Sequence, residues 1–223
     1  MTALLPAIEL TTGHNPVGSV IWMHGLGADG TDFVPVIKEL GLPESLPLRF
    51  IFPHAPMRAV TINSGSVMRA WFDILEISNV ERKVDETGIR ESQRAIEAFI
   101  EREISRGIEA KRIVLAGFSQ GGAIALQAGL RHSQALAGIL ALSTYLPLAS
   151  KLEAEASSAN RSIPIFMAHG EQDTVIPISI AEHSYQELSR QGHKVEWREY
   201  PMAHSVSTEE IMDIGAWLKR RFQ

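Results

Sequence analysis

Residues 114–129 read VLAGFSQGGAIALQAG, and this stretch decides the fold. Residues 112–116 begin a run of apolar β-formers, the pattern of a buried strand. From Ser119 onward the residues are small, with Ile124 the only β-branched one, which reads as a closely packed helix. Between the two lies Gly117-Phe118-Ser119-Gln120-Gly121. A Gly-x-Ser-x-Gly turn reverses the chain so sharply that the serine backbone is strained, by roughly 1–3 kcal/mol, while its glycines let helix and strand pass closely. The Ser119 hydroxyl is thereby lifted clear of the sheet. The first amide of the helix, on Gln120, points at any oxyanion formed beside Ser119, at the positive end of the helix dipole. The strand before and the helix after are the context that makes Ser119 a nucleophile candidate.

Outward from this turn the same rhythm repeats. Upstream, residues 7–13 and 18–24 read as two extended pieces, and residues 48–52 as a third strand stopped by Pro53 and Pro56. The second piece leads into His24-Gly25-Leu26-Gly27, a loop that can turn a backbone N–H outward as the second donor of an oxyanion hole. Glycines that merely permit a tight loop are the alternative. A helix-like segment follows at 33–40. Residues 57–84 form a long connection with no clear regular structure, rich in apolar and aromatic residues; Trp71 and Phe72 there either line an acyl pocket or pin the connection to the core. A helix facing the core through Ile89, Ile96, Ile100 and Ile104 begins after Asp85 and stops at Gly107.

Downstream, residues 135–142 and 163–168 read as buried strands, with a polar surface segment at 153–162. Pro177 opens a helix at 178–190 that Gly192 closes, and 195–200 is a further strand. Ser207-x-x-Glu210 is a capping box for a last helix whose Ile211, Ile214, Leu218 and Phe222 form one apolar face. Strands alternating with helices predict a mostly parallel α/β sheet covered on both faces. About twenty residues separate the strands at 142 and 163, too few for a helical lid, so an open groove is expected.

Three candidates fall in chain order after separate strands: Ser119, Asp173 and His204. That is the order of hydrolases on an open α/β sheet, where groups at the carboxyl ends of strands converge on one crevice. Serine is a weak nucleophile near neutrality, so His204 takes its proton, and Asp173 holds the imidazole tautomer and stabilises its cation. Glu171 is a rival acid but would face solvent, and Asp213 breaks the chain order. His183 and His193 read as solvated surface residues, His24 as a hydrogen-bonding group beside the oxyanion loop, and His169 as a satisfied core residue.

Composition bounds the rest. The 223 residues suffice for one domain, spanning 1–223, and hydrophobic residues at 45% with charged ones at 21% describe an ordinary globular chain. A net charge of −5 without a basic run argues against nucleic acid and against an anionic membrane surface. No stretch approaches the roughly 20 apolar residues of a membrane span, and the first residues lack the basic start of a signal peptide, so a soluble, cytoplasmic protein is expected. The absence of cysteine excludes disulfides and thiolate metal sites. Eight scattered histidines without a His-Glu-x-x-His helix or an acidic calcium loop give no metal reading. Gly25, Gly27 and Gly30 match a dinucleotide loop only loosely, so no cofactor is expected.

Taken together, His24-Gly-Leu-Gly27, Phe52-Pro-His-Ala-Pro56, Trp71-Phe-Asp73, Gly117-Phe-Ser-Gln-Gly-Gly122, Leu142-Ser-Thr-Tyr145, His169-Gly-x-x-Asp173 and Met202-x-His204 resemble the acyl-protein thioesterase and carboxylesterase family, also called phospholipase/carboxylesterase, of the α/β-hydrolase fold. The resemblance implies a lidless serine esterase whose oxyanion hole is formed by the N–H groups of Leu26 and Gln120. It also implies an acyl site bordered by Trp71 and the segment at Leu146, and it allows a homodimer. Ala203 departs from the glycine expected before the histidine, and a methyl group there should be tolerated. The expected activity is hydrolysis of short to medium acyl esters through an acyl-enzyme. Thioester hydrolysis on acylated proteins and deacylation of lysophospholipids are alternatives using the same machinery, and a silent binder of acylated partners is the non-enzymatic one.

Overall fold

Strand β1 (Ala7–Thr11) and β2 (Gly18–Met23) open the chain, followed by the short helix α1 (Val36–Glu39) and β3 (Leu48–Pro53). The long connection then forms β4 (Met57–Val60), β5 (Ser66–Arg69), β6 (Ile74–Ile77) and β7 (Arg82–Val84) before helix α2 (Glu86–Ser105). The remaining elements are β8 (Ile113–Phe118), α3 (Gln120–Arg131), β9 (Gly138–Leu142), α4 (Ala149–Glu155), β10 (Ile165–Gly170), α5 (Ile178–Arg190), β11 (Val195–Tyr200) and α6 (Thr208–Phe222). The computed structural model describes residues 4–77 and 82–223; residues 1–3 at the start and 78–81 of the long connection lie outside the described residues.

Seven strands make one sheet in the order β1-β3-β2-β8-β9-β10-β11, parallel throughout except for β1, which pairs antiparallel with β3 at the edge. Period-two alternation sends the two halves of each strand into different layers. Ile21, Leu115, Ile139 and Met167 point into the layer covered by α2, α3 and α5, where Ile96, Leu126 and Leu188 meet them. Val20, Val114, Leu140 and Phe166 point into the other, covered by α6 through Ile214, Trp217 and Leu218. The expected two-sided α/β sheet is therefore what the chain forms.

Several local readings are refined. Residues 57–84 are not irregular: β4 pairs with β5 and β6 with β7 as two antiparallel hairpins. The strand expected from 135 begins at Gly138, because the Leu136 N–H is taken by the Asn160 side chain at 2.9 Å before the ladder starts. Pro164 likewise delays the next strand to Ile165. Helix α2 ends short of Gly107, which adopts φ +91°, and α5 ends short of Gly192 at φ +86°, both left-handed stops. His193 is buried at 7% exposure, not a surface residue, because the chain turns inward from Gly192 to start β11.

Candidate active site

Three carboxyl ends of parallel strands meet on one side of the sheet. Strand β8 ends in the turn that carries Ser119, at φ 55° and ψ −121°, a conformation few L-residues adopt. The strain is held by its surroundings: the Ser119 N–H donates to the Leu142 carbonyl at 2.8 Å, and Thr144 Oγ1 donates to the Ser119 carbonyl at 2.6 Å. A Cβ on Gly117 would run into the Gly121 backbone, and one on Gly121 into the Met23 and His24 carbonyls. Only glycine lets strand, turn and helix pass at this distance.

Beyond β10, Asp173 lies in a tight turn with its carboxyl group fully buried. Its Oδ1 accepts the N–H groups of Val175 and Ile176, each at 2.8 Å. Beyond β11, His204 places Nδ1 2.6 Å from Asp173 Oδ2 and Nε2 3.0 Å from Ser119 Oγ. With Asp173 ionised, Nδ1 carries the proton and Nε2 is the free base facing the serine hydroxyl. Burial pushes the Asp173 carboxyl up, but hydrogen bonds from His169, His204 and the Ile176 N–H outweigh it and hold the group well below the usual carboxylate range. The Phe118 ring packs on the His204 ring at 4.7 Å between centroids, fixing its plane. Ala203 does not adopt a positive φ, so its methyl group is accommodated without strain, as expected.

The loop after β2 supplies the facing wall. His24 is buried, with Nδ1 2.7 Å from the Gly25 carbonyl and Nε2 accepting the Ala55 N–H at 3.0 Å, which fixes the proton on Nδ1. Burial lowers its pKa, so it stays neutral and acts as a brace. The Gly27 N–H donates to Arg69 and the Ala28 N–H to Gly25, while among the described residues nothing accepts the Leu26 N–H. On the opposite side, the Gln120 N–H is the first of α3 and has no intrahelical acceptor.

Sequence reasoning did not assign two groups their work here. The Gln120 side chain is buried and spans to the long connection, accepting the Trp71 N–H at 2.8 Å and donating to the Phe72 carbonyl at 2.7 Å. Trp71 is fully buried, its indole N–H donating to the His24 carbonyl at 2.9 Å, and the Ser92 hydroxyl donates to the Trp71 carbonyl. Trp71 thus clamps the two loops from behind. The second group, His169, is buried against Asp173 with Nε2 at 3.3 Å from Oδ2. Of the rivals, Glu171 is exposed, and Asp213 accepts the Tyr200 hydroxyl at 2.8 Å.

A cavity of about 260 Å³ opens over Ser119 and His204. Its apolar wall includes Leu26, Ile62, Ile74, Tyr145 and Ile176; Trp71 and Leu146 are not among the described lining residues. Among the described residues no group of His, Asp and Glu is arranged to hold a metal ion, and no helix is long and apolar enough to cross a membrane.

A seven-stranded sheet with this strand order, and a serine at a strained strand-to-helix turn facing a histidine and a buried carboxylate, define an α/β-hydrolase. The chain belongs to the phospholipase/carboxylesterase family, whose model matches residues 10–221. It is 35% identical over 227 residues to acyl-protein thioesterase 1 of Yarrowia lipolytica, covering 98% of each chain. Among solved structures, SOBER1 of Arabidopsis thaliana superposes with a TM-score of 0.87 at 30% identity, covering 92% of this chain and 99% of the other. Zea mays acyl-protein thioesterase 2 does so with a TM-score of 0.83 at 25% identity, covering 98% and 100%. The chain is accordingly a hydrolase of acyl esters or thioesters.

Proposed function

We propose that the protein hydrolyses short- to medium-chain acyl esters and thioesters by nucleophilic catalysis at Ser119. The observation that carries this reading is the unbroken relay from Asp173 through His204 to Ser119, at 2.6 and 3.0 Å. His204 Nε2 takes the hydroxyl proton as Oγ attacks the acyl carbonyl. The N–H groups of Leu26 and Gln120 receive the oxyanion, a contribution worth about 3–4 kcal/mol per donor in such sites. His204 then returns the proton to the departing alcohol or thiol, and water repeats the sequence on the acyl-enzyme. Because the cavity lies just below the ~300–1,000 Å³ typical of drug-sized ligands, its 260 Å³ favours acyl groups of modest length.

Within this class the acyl-protein thioesterase reading is favoured over the plain carboxylesterase by the names of the curated relatives. The test is a chain-length series of p-nitrophenyl esters beside matching acyl thioesters, on the wild type and on Ser119→Ala. Activity peaking at medium chains and lost in the variant is expected. Hydrolysis that persists without Ser119 overturns the mechanism, and a large preference for oxyesters over thioesters overturns the thioesterase assignment.

A further inference from the structure

The oxyanion loop runs on as Ala28-Asp29-Gly30-Thr31-Asp32-Phe33, and its two aspartates have different fates. Asp29 Oδ1 is occupied by its own turn, accepting the Thr31 N–H at 2.7 Å and the Thr31 hydroxyl at 2.6 Å. Asp32, whose N–H closes the same turn on the Asp29 carbonyl at 3.2 Å, is solvent-exposed and lines the active-site cavity. Apart from His204, it is the only acidic or basic side chain among the described residues lining that cavity.

Its position relative to the scissile bond follows from a chain of ring contacts. Phe33, the next residue, stacks on Trp22 at 5.1 Å and packs against Phe118 at 5.8 Å; Phe118 in turn packs on His204 at 4.7 Å. Asp32, next in sequence to Phe33, thus lines the cavity beside the chain of rings that ends at His204. The leaving group departs on that side, because His204 must hand it a proton. No ion pair is formed by Asp32 among the described residues, and the charge nearest in effect is that of Asp29, of like sign. Partial burial and then Asp29 push its carboxyl above the ordinary range, as expected of an anion held without a counter-cation.

We propose that Asp32 is a specificity-determining residue that selects acyl substrates whose leaving group carries positive charge beside the scissile bond, specifically a cysteine thiol set within a basic peptide segment. The selection rests on the acyl-hydrolase reading above and adds the chemistry of the leaving group to it. A cation entering the mouth neutralises a carboxylate that has no partner in the free enzyme. An anion entering there, such as a phosphate one or two bonds from the acyl oxygen, meets like charge, a repulsion that added salt screens because Asp32 is exposed. Lysophospholipids are therefore disfavoured.

The experiment uses three peptides of equal length, each S-octanoylated on a central cysteine flanked by lysines, serines or glutamates, and compares kcat/KM in the wild type, Asp32→Asn and Ser119→Ala. The wild type should prefer the lysine peptide over the glutamate peptide by about 10-fold at low salt, and the preference should shrink severalfold in ~0.5 M salt. In Asp32→Asn the lysine-to-glutamate ratio should fall to within about 2-fold, and since the readout is a ratio, any general loss of activity cancels. A ratio that is unchanged in Asp32→Asn, or a wild type that prefers the glutamate peptide, overturns the proposal. The underlying reading fails separately, if the serine peptide is hydrolysed equally by Ser119→Ala.

Discussion

His169 Nε2 stands 3.3 Å from Asp173 Oδ2 and 2.8 Å from the Ile176 carbonyl oxygen. Both partners are acceptors, so Nε2 carries a proton; Nδ1 is buried with no hydrogen-bond partner among the described residues, and the ring stacks on Trp197 with centroids 6.4 Å apart. The imidazole therefore ties the carboxylate to the far side of its own turn, and acts on His204 only through Asp173. Replacing it by glutamine should lower kcat by about 3- to 30-fold while leaving KM within about twofold, because substrate contacts are untouched. Stability should fall by about 1–2 kcal/mol from the disturbed buried hydrogen bonds. Steady-state kinetics beside a urea melt checks both, and a variant with lower stability but full kcat would reduce His169 to a packing residue.

The Gln120 side chain poses a sharper question, since residue 120 offers both an amide side chain and a backbone N–H near Ser119. The side chain is consumed by Trp71 and Phe72. Gln120→Leu leaves those two buried backbone groups unpaired and should cost about 2–4 kcal/mol of stability. In the fraction that remains folded, kcat should fall less than about 10-fold, because the backbone donor persists. A loss of 100-fold or more, in a variant shown by circular dichroism to be folded, would make the side chain itself the oxyanion donor.

Gly121→Ala tests the close approach of α3 to β2. The new methyl group would meet the Met23 and His24 carbonyls, which are backbone and cannot rotate away. Helix α3 must shift, carrying the Gln120 N–H with it, so kcat should drop at least about 100-fold. Gly129→Ala on the same helix meets only side chains, Ile139 closely and Leu115 at ordinary contact, and should cost far less in rate. Equal losses in the two variants would mean that helix stability, not the approach at Gly121, is what matters.

The sheet and the order of its site residues were legible because each rests on local signals. A continuous apolar run marks β8, glycines mark the turn, and the bounds expected for the last strand, 195–200, are those observed for β11. What was not legible depends on contacts between distant segments. His169 lies at the end of strand β10 and Asp173 four residues on in the turn after it, and nothing in that spacing says that the ring packs onto the carboxylate. Whether Trp71 lines a pocket or pins the connection to the core stays open in the sequence until its indole is seen bonded to the His24 carbonyl, 47 residues away. The hairpins in the long connection left a trace in Asn63-Ser64-Gly65, where Ser64 and Gly65 take positive φ, but strands of four residues are too short for alternation to show.

The last helix holds a pH-dependent element. Ser207 Oγ accepts the Glu210 N–H at 3.1 Å, the first half of the expected capping box. In the second half the Glu210 side chain turns inward: its carboxyl oxygens are buried and make no well-formed hydrogen bond among the described residues, and the Ser207 N–H is the backbone group that acts on them. Burial, opposed by the Ser207 N–H and helped by the nearby charge of Asp213, pushes this carboxyl up to about 8 from an ordinary 4.5. Between those values the folded chain keeps a proton that the unfolded chain has released, so rising pH favours unfolding. The contribution is fully present below 4.5, is lost by about 1 kcal/mol per pH unit on the way up, and levels off above 8. Glu210→Gln keeps the neutral shape and cannot ionise. Urea midpoints from pH 5 to 9 should therefore show the variant gaining on the wild type up to pH 8 and holding its lead beyond; a difference that stays constant across the range would mean that Glu210 is already ionised in the folded protein.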